Sequence, residues 1–200
     1  NEPNETDGEE PIPEEDRTAY RSSCMRVAFI AQDRPDLGVA TREMAKGMQN
    51  PTKRHVQQLK RTTRFLKQHP RMVQHFVNQQ RATLLSGWCD ADHAGCLRTR
   101  KSTTGGCIMI GDHCIIHWCR GQAVIALSSG EAEYYSFVTL ISELCGLRSL
   151  ALDWNLDYKL EAMCDASAAI GIARRKGFGR IKHLDTIFLW AQQRVDAYNI

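Results

Sequence analysis

The stretch from Leu127 to Tyr135 constrains the fold of this chain more than any other. Ser128 followed three residues later by Glu131 is the pattern of a capping box, so we expect a helix to begin here. Apolar residues then recur at helical spacing and form one stripe, which consists of Phe137, Leu140, Leu144, Leu147 and Ala151. The pattern predicts a long helix, running to about Ala151, that packs one face against a core.

Two glutamates at the start of this helix point in different directions. Glu133 lies at the head of the apolar stripe, whereas Glu131 lies roughly 200° around the helix axis from it. A carboxylate on a core-facing stripe is costly unless it is paired or binds a metal ion. We therefore expect Glu133 to belong to a site and Glu131 to face away from the core.

Three aspartates fall at the ends of other predicted elements. Asp90 ends a strand that begins at Leu84, Asp165 follows a strand that begins at Lys159, and Asp185 lies near the start of the last predicted helix. The carboxyl ends of sheet strands are where α/β proteins place their sites. Carboxylates that meet there repel one another, and the hard cations Mg²⁺ or Mn²⁺ relieve that repulsion. Two such ions can support an in-line phosphoryl transfer.

The remaining elements of this region complete an α/β fold. The runs from Thr103 to Ile110 and from His113 to Arg120, separated by Gly111 and Asp112, predict a β-hairpin. A short helix is expected through Ala168 and Ala173. Hairpin strands followed by a helix, a strand and further helices predict a mixed sheet with helices on both faces. We place this domain at residues 81–200.

Residues 17–80 have a helical pattern instead. One helix is predicted from Asp36 to Gln49, and Asn50 and Pro51 predict the cap and the first residue of a second, basic helix. Residues 1–16 hold eight Asp or Glu and no Lys or Arg, which is typical of a disordered tail. The rest of the chain holds 26 basic and 15 acidic residues, and this net charge of +11 suits the binding of a polyanion.

Cysteine usage and hydropathy indicate the class of protein. Eight cysteines with no Cys-x-x-Cys pair, mostly in apolar surroundings, are typical of reduced thiols in an intracellular protein. No apolar run approaches the ~18 residues of a membrane span, so we expect no membrane association. The chain begins with Asn and stops within a helical pattern, which we interpret as a fragment of a longer protein.

Five motifs in the second domain resemble those of one known family. They stand as Cys89-Asp90-Ala91-Asp92-His93-Ala94-Gly95, Lys101-Ser102-Thr103-Thr104-Gly105, Ala126-Leu127-Ser128-Ser129-Gly130-Glu131-Ala132-Glu133-Tyr134, Cys164-Asp165-Ala166-Ser167-Ala168 and Lys182-His183-Leu184-Asp185. In this order they resemble the ribonuclease H domain of copia-type LTR retrotransposon Pol polyproteins. Residues 17–80 are similar to the end of the reverse transcriptase of those polyproteins, a small helical thumb or connection segment.

The resemblance implies a ribonuclease H-like fold and a two-metal hydrolysis of the RNA strand of RNA/DNA hybrids during reverse transcription. It implies that Asp90, Glu133, Asp165 and Asp185 bind two Mg²⁺ (or Mn²⁺) ions and are catalytic. Asp90 and Asp92 share a face of their strand, so either residue qualifies as the first ligand. The family pattern favours Asp90. His183 is a possible auxiliary residue in product release or proton transfer.

Partners and compartment follow from the same resemblance. The expected partners are an RNA/DNA hybrid and the remainder of the reverse transcriptase polyprotein, in a cytoplasmic particle and then in the nucleus. Basic side chains would bind the hybrid, whose A-form shape and 2′-hydroxyls distinguish RNA from DNA. The candidates are Arg98, Arg100, Lys101, Arg120, Arg174, Arg175, Arg180 and Lys182.

Three other interpretations compete with this one. Integrase-type nucleases share the metal chemistry but carry their glutamate last, whereas here it is second, with spacings of 43, 32 and 20 residues between the four acids. A zinc site would draw on His113, Cys114, His117 and Cys119. Strand alternation places Cys114 on the opposite face from the other three residues, which disfavours that site. The third alternative is a catalytically decayed retroelement remnant that acts as a nucleic-acid-binding or structural module.

Overall fold

The computed structural model of this chain describes residues 10–96, 98–177 and 186–200. The chain divides into two compact units between Gln74 and His75. Each unit has its own cluster of buried apolar side chains. We therefore describe the two units separately.

The first unit is helical. It comprises α1 (Glu14–Ile30), a short 3₁₀ turn (Pro35–Leu37), α2 (Gly38–Ala45) and α3 (Lys53–Gln68). Its core contains Tyr20, whose hydroxyl donates a hydrogen bond of 2.7 Å to the Met44 carbonyl oxygen. The two predicted helices are present, although the helix predicted from Asp36 to Gln49 is shorter and starts as a 3₁₀ turn, whereas α1 was not predicted.

Two details of this unit correct the sequence analysis. The predicted disordered tail, residues 1–16, is ordered from Glu10: Ile12 is buried, and Glu14 begins α1 with acidic residues that suit the positive end of a helix. Residues 1–9 lie outside the described part of the chain. Thr52, not Asn50, is the N-cap of α3, and its backbone N–H donates to Nδ1 of His55 at 3.1 Å. A histidine replaces the acid or amide that usually marks such a cap.

The second unit is an α/β structure with a mixed four-stranded sheet. Its strands are β1 (Leu84–Asp92), β2 (Thr103–Ile110), β3 (His113–Gly121) and β4 (Lys159–Met163), in the order β3-β2-β1-β4. β1 pairs antiparallel with β2 and parallel with β4, and β2 and β3 form the predicted hairpin. Gly111 in the hairpin turn has a φ of +56°, which a residue without Cβ adopts readily.

The long predicted helix is α4 (Ser129–Asp153), and it lies against the sheet. Ser128 caps it: the Ser128 hydroxyl oxygen accepts a hydrogen bond of 3.2 Å from the Glu131 backbone N–H. Leu140 and Leu144 of the predicted stripe are fully buried. By length and composition alone α4 is apolar enough to cross a membrane. Its packing on the sheet accounts for that composition.

The last two helices of the described chain pack against α4. They are α5 (Ser167–Arg174) and α6 (Trp190–Tyr198), the latter preceded by a 3₁₀ turn (Thr186–Leu189). The prediction of helices on both faces therefore differs from the structure, whose described helices of this unit gather on the α4 face of the sheet. β1 shows the reason, because Leu85 and Cys89 on the α4 side are buried while Trp88, on the opposite side, is 39% exposed.

Candidate active site

The parallel pair β1 and β4 brings two of the predicted acids to one edge of the sheet. Trp88 pairs with Met163 near the ends of these strands, and Asp90 and Asp165 follow two residues later in each. α4 begins beside the same edge, where the Ser136 hydroxyl donates 2.8 Å to the Asp90 carbonyl oxygen. Sheet topology and helix packing thus build a site from three separate parts of the chain.

Glu133 is the buried acid of this site. It is 7% exposed, and its Oε1 accepts a hydrogen bond of 3.3 Å from the Ala91 backbone N–H. Its Oε2 is buried with no hydrogen-bond partner among the described residues. Burial raises the pKa of Glu133, the Ala91 N–H opposes this change, and the charges of Asp90 and Asp165 raise the pKa further. The charges that act on Glu133 in the described structure are therefore both negative.

Asp165 lies next to Glu133, and Cys164 lies beside both. One carboxylate oxygen from each acid and the Cys164 Sγ all lie within 4.8 Å of one another. Asp165 is exposed, so the group opens to solvent on one side. Cys164 was not among the predicted site residues, although it immediately precedes Asp165, and its position at the end of β4 was the available indication.

Asp90 and Asp92 are distinguished by their surroundings. The charge of Asp90 acts on Glu133, although the Asp90 carboxylate is not part of the 4.8 Å group. The Asp92 carboxylate instead lies against the backbone of Gly95 in the following turn, where a Cβ on Gly95 would overlap it. Asp90 is therefore the aspartate of β1 that is electrostatically linked to the site.

Glu131 lies off the apolar stripe of α4, as its spacing predicts, but it is buried. Glu131 is only 3% exposed, and its carboxylate accepts hydrogen bonds from the Leu127 backbone N–H, at 3.1 Å, and from the Tyr135 hydroxyl. Helical spacing gives the direction of a side chain from the helix axis. The connection between β3 and α4 contacts the side of α4 that carries Glu131. Both glutamates are therefore buried, each with different partners.

Two thiols adjoin the carboxylates. Cys89 on β1, whose thiol donates a hydrogen bond of 3.8 Å to the Met163 carbonyl oxygen, lies beside Cys164 at the end of β4. The contact with Cys164 raises the pKa of the Cys89 thiol, as does its burial. The same contact lowers the pKa of the Cys164 thiol, against the effect of burial. Cys89 and Cys164 are both free thiols.

The predicted nucleic-acid contacts fall into two groups. Arg98, Arg100 and Arg174 are exposed. Lys101 and Arg120 are engaged within the protein, because the Lys101 ammonium donates 2.5 Å to the Ala123 carbonyl oxygen and Arg120 forms a 2.6 Å ion pair with Glu143.

Arg175 is half-buried. Burial raises the pKa of the Tyr134 hydroxyl to about 12, and the nearby charge of Arg175 opposes this effect. The predicted residues Arg180, Lys182, His183 and Asp185 lie outside the described part of the chain.

The alternative zinc site does not form in the described structure. His113, Cys114, His117 and Cys119 of β3 are not among the described groups whose donor atoms come close enough for one metal ion. His113 instead lies 3.2 Å from the Gln79 side-chain amide nitrogen and packs edge-on against the Phe76 ring. The contacts of His113 are therefore with Gln79 and Phe76.

Comparison with known proteins relates most of the chain to transposon polyproteins. The retrovirus-related Pol polyprotein from transposon TNT 1-94 of Nicotiana tabacum is 29% identical over 165 residues, which are 82% of this chain and 12% of that protein. The corresponding polyprotein from transposon RE1 of Arabidopsis thaliana is 29% identical over 185 residues, 91% of this chain and 13% of that protein. The secreted RxLR effector protein 161 of Plasmopara viticola is 35% identical over 116 residues, 58% of this chain and 81% of that protein.

The two transposon polyproteins are much longer than the chain. The chain spans 12% and 13% of the two transposon polyproteins, so it corresponds to a small part of each. No family model matches the chain, and no solved structure matches it.

Proposed function

Because this chain belongs to the copia-type retrotransposon Pol polyproteins, we propose that its second unit is their ribonuclease H. In this proposal it hydrolyses the RNA strand of an RNA/DNA hybrid during reverse transcription. Its other partner is the remainder of the polyprotein, and it works inside the cell, in a cytoplasmic particle and then in the nucleus. The mixed sheet, with α4 packed on the paired strands β1 and β4, is consistent with a ribonuclease H-like fold.

One observation carries the proposal: the Glu133 carboxylate, 7% exposed and with one oxygen unpartnered among the described residues, lies beside Asp165. A buried carboxylate next to a second carboxylate is costly unless a cation compensates both. Carboxylate oxygens are the ligands that Mg²⁺ prefers, so the donors present fit this ion. The Cys164 thiol is not a ligand of that kind.

The protein's own contribution is to hold the carboxylates in place. The Ala91 N–H fixes one oxygen of Glu133, and the Ser136 hydroxyl ties the end of β1 to α4 beside Asp90. Asp165 offers its carboxylate from the exposed side. When bound, two Mg²⁺ ions would activate a water molecule and stabilise the leaving oxygen of the RNA strand. Asp185 is proposed as the fourth ligand and His183 as an auxiliary residue.

Hybrid binding is proposed for the exposed basic residues. Arg98 and Arg100 are exposed and follow β1, the strand that carries Asp90. Arg120, in contrast, is held in an ion pair with Glu143. Arg174 at the end of α5 is exposed as well. We propose that Arg98, Arg100 and Arg174 contact phosphates, because such contacts position a nucleic acid without reading its sequence.

The test is cleavage of a labelled RNA/DNA hybrid by the 200-residue chain. We expect RNA cleavage in Mg²⁺ that EDTA abolishes and that Asp165→Asn reduces by about 100-fold or more. Asp112→Asn is the matched control, because Asp112 is an exposed aspartate in the hairpin turn, and it should retain activity.

A different outcome would favour the alternative function. If the folded chain binds the hybrid but leaves its RNA intact in both Mg²⁺ and Mn²⁺, the ribonuclease proposal is wrong. The chain would then be a catalytically decayed remnant that acts as a nucleic-acid-binding or structural module.

A further inference from the structure

The carboxylates of the candidate active site share their space with a sulfur atom. The Cys164 Sγ and one oxygen from each of Glu133 and Asp165 lie within 4.8 Å of one another. Independently of that proximity, Glu133 is 7% exposed and one of its oxygens has no hydrogen-bond partner in the described structure. A buried, partly unsatisfied carboxylate beside a thiol and a second carboxylate is a mixed sulfur and oxygen donor set.

We propose that Glu133, Cys164 and Asp165 form a binding site for a thiophilic divalent cation, with Zn²⁺ as its representative. Zn²⁺ accepts both thiolate sulfur and carboxylate oxygen as ligands, and three protein ligands leave a fourth position for water. Mg²⁺ prefers oxygen ligands and does not favour thiolate sulfur. The two ions therefore require different subsets of the same side chains, and Cys164 distinguishes them.

The observed distances suit such an ion. Bonds of about 2.0–2.3 Å from zinc to oxygen and sulfur, at tetrahedral angles, separate the ligand atoms by about 3.5 Å. The three atoms here lie within 4.8 Å of one another, so side-chain movements of about 1 Å bring them to zinc geometry. Cys164 and Asp165 follow β4, and Glu133 lies in the first turns of α4.

The site also has the charge that a cation needs. Two carboxylates supply it, and the charges of Asp90 and Asp165 already act on Glu133. A bound divalent cation would compensate the buried Glu133 carboxylate. Zinc binding at Glu133, Cys164 and Asp165 does not require ribonuclease activity, so the two proposals can be tested separately.

The experiment follows the reactivity of Cys164 itself. The metal-free 200-residue chain is kept reduced with a phosphine and alkylated with iodoacetamide, and the rate at Cys164 is read by peptide mass spectrometry. We expect Zn²⁺ to slow alkylation of Cys164 by about tenfold or more, because a metal-bound thiolate is no longer free to attack. Mg²⁺ at the same concentration should have no such effect. Cys145 on α4, half-buried and outside the site, is the internal control.

Two variants test whether the carboxylates take part. Glu133→Gln and Asp165→Asn should both lose most of the zinc protection of Cys164, whereas Asp153→Asn, a change of an exposed aspartate at the end of α4, should keep it. The phosphine excludes a disulfide between Cys89 and Cys164 as the cause of slow alkylation. An unchanged rate at Cys164 in Zn²⁺, or full protection in both site variants, would overturn the proposal.

Discussion

Glu133 and Glu131 are two buried carboxylates, two residues apart, with opposite consequences for stability. Glu131 accepts two hydrogen bonds from within its own helix start. Glu133 accepts one backbone hydrogen bond and lies near Asp90 and Asp165, which disfavour its ionised form. The difference arises from the neighbours that the fold supplies, and burial alone does not produce it.

The first prediction concerns pH and Glu133. Its pKa is raised, chiefly by burial, so the stability that this group supplies is present below the usual range for glutamate and is lost as pH rises through the raised value. At pH 7 in EDTA, Glu133→Gln should therefore increase the free energy of unfolding by on the order of 1 kcal/mol, measured by urea denaturation. The gain should shrink below pH 4.

Glu131→Gln is the matched control for that prediction. Glutamine keeps the shape of Glu131 but weakens charge-assisted hydrogen bonds, so this variant should be less stable than the wild type at pH 7. A loss of stability in Glu133→Gln under metal-free conditions would contradict our account of the site.

At the residue scale, the sequence identified Glu133 as an acid at a helix start and Asp90 and Asp165 as acids at strand ends, and the structure places Asp165 beside Glu133. It did not identify Cys164, because the motif that contains this cysteine says nothing about where its sulfur points. Proximity across β4 and α4 is a tertiary property, and the place of Cys164 at the end of a predicted strand was the indication of it that the sequence held.

Elements with a strong local pattern were predicted well. The four strands of the second unit begin where predicted and end within two residues of the predicted positions, and α4 starts after its capping serine. The helix starts of the first unit were less accurate, since Thr52 uses His55 where the pattern calls for an acid or amide. Sheet order was beyond the sequence, because pairing of β1 with β4 depends on contacts between distant segments.

The second prediction is about the start of α4. Ser128→Ala removes the hydroxyl that accepts the Glu131 N–H, and it should lower the free energy of unfolding by about 1 kcal/mol. Ser129→Ala, one residue later and exposed, should have little effect. Equal effects of the two changes in thermal or urea unfolding would argue against the cap.

The third prediction is about the contact between α4 and β1. A Cβ on Gly87 would overlap the Leu140 side chain, so Gly87→Ala should lower the free energy of unfolding by about 1–3 kcal/mol. Gly146→Ala, on the exposed face of α4 with open space around it, should instead raise it by about 0.5–1 kcal/mol. The same glycine-to-alanine change thus has opposite signs, and urea denaturation measures both.

For the whole molecule, charge is the property that bears on nucleic-acid binding. The chain carries 26 basic and 23 acidic side chains, and eight of the acids fall within residues 1–16. The second unit exposes Arg98, Arg100 and Arg174 and holds Arg120 in an ion pair. Such phosphate contacts predict weak, salt-dependent binding, and nanomolar affinity of this chain for a hybrid at physiological salt would contradict that.

The fourth prediction measures this dependence. Hybrid binding should weaken as salt rises, and the double change Arg98→Gln and Arg100→Gln should reduce the slope of log affinity against log salt by about 2. Arg26→Gln, a change of an exposed arginine on α1, is the control and should leave the slope unaltered. Fluorescence anisotropy at several salt concentrations gives both slopes.

The parallel pairing of β1 with β4 has a consequence for synthesis. β1 emerges from the ribosome some 70 residues before β4, and until then the side of β1 opposite β2 has no strand to bond. An unpaired strand edge recruits other strands, so a product that stops before Lys159 would be prone to associate with its own copies. When β4 pairs with β1, Asp90 and Asp165 therefore come together at one edge of the sheet. The same pairing covers the strand edge of β1 that could otherwise associate with another copy.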